Sequence, residues 1–251
     1  MATILCLNSA FMGQRIVPLV FSRKARYDSM WLAMANARRP RRKSEETIMF
    51  WDRVAGVYDI FVNVINRKTH RSLKRIVAAQ IEPGDIVLEC ACGTGLLSAV
   101  IAQGCRHLTA TDFSAKMVRK AKKNCAAFSN ISFAQADITA LPYADGCFDK
   151  VVAGNVIHLL DEPLKALREL NRVCKDGGLL IIPTYMNQAE NGDPGKLSST
   201  LDKAGADFKR EFTVDSYKQF FSEVGYADVR VTLAEGRIPC AVAVMRKKLN
   251  E

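Results

Sequence analysis

Val87-Leu88-Glu89-Cys90-Ala91-Cys92-Gly93-Thr94-Gly95-Leu96-Leu97-Ser98 is an apolar run closed by an acid, then a tight glycine loop, then a stretch that reads as helix from about Leu96 to Gln103. Strand, turn and helix in that order open a βαβ unit. Such units build parallel sheets whose ligands gather at the carboxyl ends of the strands. Gly93 and Gly95 lack a Cβ, so the backbone there can turn sharply and come close to a ligand. A helix start behind them offers unpaired N–H groups and a partial positive charge.

A Gly-x-Gly pair alone says little. Here Glu89 stands four residues ahead of Gly93, and Ser98 occupies the place where a dinucleotide fingerprint has its third Gly or Ala. A carboxylate at the mouth of the loop repels a pyrophosphate and attracts an ammonium or sulfonium. The second strand, expected at Leu108–Thr111, ends in Asp112, 19 residues past Gly93. That spacing suits the acid that holds ribose hydroxyls in nucleotide-binding βαβ units. Asp112 or Ser114 also reads as the N-cap of a helix over Ala115–Phe128.

At these residues the chain resembles the class I S-adenosylmethionine-dependent methyltransferases, and the resemblance runs from about Phe50 to Lys247. Asp52-x-x-Ala55-x-x-Tyr58-Asp59 is similar to the opening of the ubiquinone/menaquinone C-methyltransferases and the bacterial phospholipid N-methyltransferases. Asp112-Phe113-Ser114-Ala115-Lys116-Met117 is similar to the family's second motif, and Asp137-Ile138 to its adenine contact. Leu141-Pro142-Tyr143 followed by Phe148-Asp149 resembles a further signature.

The resemblance implies an α/β, Rossmann-like sheet of seven strands, mostly parallel with a reversed last strand and helices on both faces. It implies S-adenosylmethionine held by Glu89, Cys90, Ala91, Gly93, Gly95, Asp112, Phe113, Met117, Asp137, Ile138 and Asn155. His158, as a general base or orienting group, and Tyr58, in a helix over Phe50–Ile65, are the catalytic candidates, with Tyr185 also on the acceptor side. Asp149 is expected to orient loops beside the site. A methyl transfer to a small-molecule or lipid acceptor by in-line displacement follows as the expected activity. Three alternatives stay open: an RNA methyltransferase, a non-catalytic adenosyl-binding protein and an NAD-dependent oxidoreductase.

The 251-residue chain has a formal net charge of +10, placed unevenly. Its first 50 residues hold nine Lys or Arg against three acids, leaving a net +4 for the body, so composition lends the core little claim to nucleic acid. Residues 1–48 read as a basic, disordered extension ahead of a domain over 49–251, or alternatively as a mitochondrial presequence. The eight Cys are scattered, with no paired zinc spacing, so a metal is not expected and a cytoplasmic, reducing setting is. No apolar run approaches the ~20 residues of a membrane span, which leaves peripheral contact as the only membrane role expected.

Overall fold

The computed structural model describes residues 66–186, 209–236 and 238–248. The extension over 1–48, the helix over Phe50–Ile65 with Tyr58, and most of the polar loop after Tyr185 lie outside the described residues. The first described element is helix α1, Arg67–Ala78. Strand β1, Ile86–Cys90, leads through the glycine loop to α2, Ser98–Gly104, and then to β2, His107–Asp112. Helix α3, Ala115–Asn124, connects to β3, Ile131–Gln135, and a loop leads to β4, Phe148–Ala153. A short 3-10 turn at Ile157–Leu159 precedes α4, Pro163–Val173, and β5, Cys174–Tyr185. Helix α5, Val214–Glu223, and strands β6, Arg230–Ala234, and β7, Cys240–Arg246, complete the order.

The seven strands lie in the order β3-β2-β1-β4-β5-β7-β6. All neighbours from β3 to β5 pair in parallel, and β7 runs antiparallel between β5 and β6, so the reversed last strand is present. The strand order reverses at β1/β4, which is where a doubly wound sheet opens a crevice for a ligand. Two apolar clusters coat the sheet. One joins α4 and α5 to Leu88, Val151 and Ile182; the other joins α1, α2 and α3 to Val87, Val152 and Ile181. Alternate residues of one strand thus enter opposite cores, as a strand buried on both faces requires.

Two boundaries and one residue's placement differ from the sequence reading for physical reasons. Helix α2 begins at Ser98 rather than Leu96, because Gly93 and Gly95 at φ 55° and 91° carry the turn on through Leu97. The glycine loop therefore does not sit directly on a helix start. Lys175-Asp176-Gly177-Gly178, a glycine pair that reads in sequence as the end of a helix over Leu164–Cys174, lies within β5; the register slips between Phe148 and Lys150 to accommodate it. A Cβ on Gly178 would stand 2.7 Å from both the Asp149 carbonyl and the Cys174 sulfur, so this crossing needs glycine. Asp149 is not beside the carboxyl edge. Its carboxylate accepts from the Ile86 N–H (2.9 Å) and the Lys175 ammonium (2.6 Å), which ties together the strand starts at the opposite edge.

Candidate functional site

The carboxyl ends of β1, β2 and β4, with the residues just after β3, enclose a cleft of about 360 Å3. That lies within the range of small-ligand sites. Its wall contains all eleven cofactor candidates except Gly95. Gly95 packs inward instead: a Cβ there would meet the Cys125 sulfur at 2.8 Å. Gly93 does the opposite, since a Cβ would meet nothing within 4 Å. One glycine lets helix α3 approach the loop, and the other leaves the loop's outer side bare for a ligand. Ala91 and Asn155 also adopt positive φ, 55° and 53°, on the two sides of the cleft. The left-handed conformation costs roughly 1–2 kcal/mol for a residue with a Cβ, and such strain concentrates at functional sites.

Glu89 is buried, and the Ser98 hydroxyl donates to its carboxyl at 2.5 Å. Burial pushes its pKa up to about 8, an effect that the Ser98 hydrogen bond opposes and the nearby Asp112 reinforces. A buried acid this hard to ionise is stabilised by a cation arriving beside it. Asp112 accepts from the Gly93 N–H and the Ser114 N–H, 2.9 Å each, one on each oxygen. Each carboxylate oxygen has a second acceptor position, so the pair can also face two hydroxyls. Ser114, not Asp112, caps α3, accepting from the Met117 N–H at 3.1 Å. Asp137 is exposed, with one oxygen taken by the N–H and hydroxyl of Thr139, 2.8 Å each. Ile138, Phe113 and Met117 supply apolar wall around it. Three carboxylates, a bare glycine and an apolar slot fit an elongated ligand with a cationic end, a ribose and a flat ring, which is the shape of S-adenosylmethionine.

The acceptor-side candidates separate. His158 is buried, and burial lowers its pKa to about 4. Its neighbours Val156 and Leu159 line the cleft while His158 does not. Its carbonyl accepts from the Lys209 and Arg210 N–H groups. Tyr185, half-buried at the end of β5, meets His70 of α1, with the hydroxyl 2.7 Å from Nε2. Tyr185 pairs in register with Cys240, whose thiol donates to the Asn155 side chain at 3.6 Å. The pair is thus linked through Cys240 to Asn155 of the cleft, although neither Tyr185 nor His70 lines it. His70 carries no signal in the sequence because it lies in the first turn of α1 among Lys and Arg, 115 residues from its partner. Asn66 and Thr69 fix the start of that helix by bonding the backbone of Ile238. Among the described residues no His, Cys, Asp and Glu group could hold a metal, and no helix is long and apolar enough to cross a membrane.

Residues 88–182 match the family model described as a methyltransferase domain. A demethylmenaquinone methyltransferase of Renibacterium salmoninarum is 36% identical over 154 residues, covering 61% of this chain and 63% of the relative. The ubiquinone/menaquinone biosynthesis C-methyltransferase UbiE of Bdellovibrio bacteriovorus is 35% identical over 140 residues, covering 53% and 58%. The chain thus spans about three fifths of the length of these relatives. Among solved structures, a methyltransferase of Thermotoga maritima superposes with a TM-score of 0.64 at 20% identity, covering 80% of this chain and 99% of the other. The magnesium protoporphyrin IX methyltransferase of Synechocystis superposes at 0.57 and 20% identity, covering 74% and 89%. At such identities the likeness is one of fold. Fold, family model and sequence relatives converge: residues 88–182 carry a methyltransferase domain, and the chain is similar there to the ubiquinone/menaquinone C-methyltransferases.

Proposed function

We propose that the chain binds S-adenosylmethionine in this cleft and moves its methyl group to a hydroxylated ring of a small or lipid-tailed acceptor, of the quinol type named for its relatives. The observation that carries this reading is the arrangement of Glu89, Asp112 and the bare face of Gly93 around one cleft. Bound there, S-adenosylmethionine supplies a methyl group already activated on a sulfonium.

The chain's own residues then bind and align. Glu89 faces the cationic methionine end, and Asp112 accepts from the ribose hydroxyls. The second oxygen of Asp137 takes the adenine amino group, and Ile138, Phe113 and Met117 hold the ring. Cys90 and Ala91 shape the loop, and Asn155 borders the reacting end. An electron-rich ring carbon of the acceptor would take the methyl in line as the carbon–sulfur bond breaks, leaving S-adenosylhomocysteine, and the ring proton would then pass to water as the ring regains its aromaticity. Tyr185, oriented by His70, is placed to accept a hydrogen bond from the acceptor's ring hydroxyl, which raises electron density at the attacked carbon. Alignment and desolvation can supply about 7–11 kcal/mol of a barrier. A dedicated base is therefore not needed, and His158 serves as a buried brace behind the wall.

Calorimetric titration with S-adenosylhomocysteine and with NAD tests the binding half, and mass spectrometry of short-chain naphthoquinols incubated with S-adenosylmethionine tests the transfer. NAD bound in preference to S-adenosylhomocysteine would sink the reading.

A further inference from the structure

The charge of the folded body is sorted by sheet face. Helices α1 and α3 hold ten Lys or Arg and no Asp or Glu, and α2 between them holds no charge. All three belong to the apolar cluster on one face of the sheet. The rest of residues 51–251 holds 17 Lys or Arg against 23 Asp or Glu, so the near-neutral total conceals a strongly basic face and an acidic remainder. On the other face, α4 carries Lys165, Arg168 and Arg172 with Glu169, and α5 carries Lys218 with Asp215 and Glu223.

Elsewhere in the fold, Lys150, Arg172, Lys175, Lys209 and Lys247 each meet a carboxylate. Arg67, Lys68, Arg71 and Arg75 of α1 and Lys116, Arg119, Lys122 and Lys123 of α3 are exposed. Lys74, half-buried on α1, is near enough to favour the thiolate of Cys125 just past α3. Like charges gathered on helices that hold no acid of their own favour a polyanionic partner.

We infer that the α1–α2–α3 face is a docking surface for an anionic lipid bilayer. The choice of bilayer rests in part on the proposed lipid-tailed acceptor, which such a surface would deliver to the cleft. Two further observations favour it over nucleic acid. The strip between the basic rows is uncharged, with Ala99, Val100 and Gln103 outward on α2, which suits the boundary between headgroups and acyl chains. The three helices contain no Phe, Tyr or Trp, so they offer no platform for stacking bases. Beside α1, a groove of about 420 Å3 lined by Lys68, Arg71, Ser72, Arg75, Leu233 and Glu235 has room for a phosphate headgroup.

The test is sedimentation of the full chain with phosphatidylglycerol/phosphatidylcholine vesicles and with phosphatidylcholine alone. The triple variant Arg71→Glu, Lys122→Glu, Lys123→Glu is compared with a control of equal charge on the other face, Lys165→Glu, Lys218→Glu, Arg168→Glu. The first should weaken binding to the anionic vesicles by about tenfold to a hundredfold, the control by no more than about threefold, from the strength of a lysine or arginine near an anionic surface. Thermal melting and S-adenosylhomocysteine binding check the fold of both. If the triple variant melts, the three single reversals, each expected to cost several-fold, carry the comparison. Equal losses in both variants, or equal binding to neutral vesicles, would overturn the proposal. So would single-stranded RNA bound more tightly than the vesicles and lost in the same variant. Methyl transfer to a water-soluble naphthoquinol is read separately. Activity without vesicle binding removes the docking surface alone, while face-dependent vesicle binding without activity upholds it and removes the enzymatic reading.

Discussion

On the half of the cleft proposed for the cofactor, each carboxylate is held by groups close to it in sequence. Glu89 is met by Ser98, Asp112 by Gly93 and Ser114, and Asp137 by Thr139. On the side proposed for the acceptor, Tyr185 is met by His70 from a helix that precedes the whole sheet, and Asn155 by Cys240 from its last strand. The first half is a local construction that any chain with this motif spacing makes. The second exists only when α1, β4, β5 and β7 have all docked. The cofactor half should therefore tolerate changes in the late strands, and the acceptor half should be where related proteins diverge.

The largest effect should come from breaking the cofactor half. Glu89→Gln keeps the shape and the Ser98 partner but removes the charge. S-adenosylmethionine binding should weaken by about 1.5–3 kcal/mol, roughly ten- to a hundredfold, measured by calorimetry. An unchanged affinity would mean that the cationic end lies elsewhere. Breaking the acceptor half should give the opposite pattern. Tyr185→Phe should lower kcat by roughly tenfold, the scale of one lost hydrogen bond at about 1.5 kcal/mol, and leave S-adenosylhomocysteine affinity alone. His70→Gln should retain more activity than His70→Ala, since only the former can still bond the tyrosine. Loss of cofactor binding in either variant would erase the distinction between the halves.

A subtler probe sharpens the cofactor half. In the free protein Glu89, with a pKa raised to about 8, is mostly protonated at neutral pH. A bound cation favours its ionised form, so binding should release up to one proton below about pH 8. Affinity should then rise with pH and level off above that value. The same raised pKa makes the free fold lose stability as pH rises from the ordinary carboxyl range to about 8, because the folded state there holds the extra proton. Titration in buffers of different ionisation heat counts the protons. The smallest effect is expected at His158→Asn, which should change kcat within about threefold while lowering the melting temperature, because a buried group is usually worth more to packing than to chemistry.

Much of the cofactor half was legible in the chain. The Glu89–Gly93–Asp112 spacing and Asp137-Ile138 named residues that the fold does bring to one cleft. The strand order was not read from the chain, since right-handed crossovers fix the face each helix covers and not where the order reverses. Asp149 was placed at the wrong edge because a signature names a residue and not the end of the strand on which it acts. The near-neutral net charge of the body hid the basic face because a sum over sequence discards direction.

What the sequence determined by itself was the class of fold and one side of a binding cleft. Both arise from short-range spacing: two-residue alternation, glycines that permit a positive φ, and an acid at the end of each of two adjacent strands. Only the tertiary structure decided that His70 supports Tyr185, that His158 is buried away from the cleft, and that α1 and α3 pool their charge on one face. Those outcomes depend on which residues 50 to 170 positions apart become neighbours, and that is set by how helices pack on the two faces of the sheet, which no local pattern encodes.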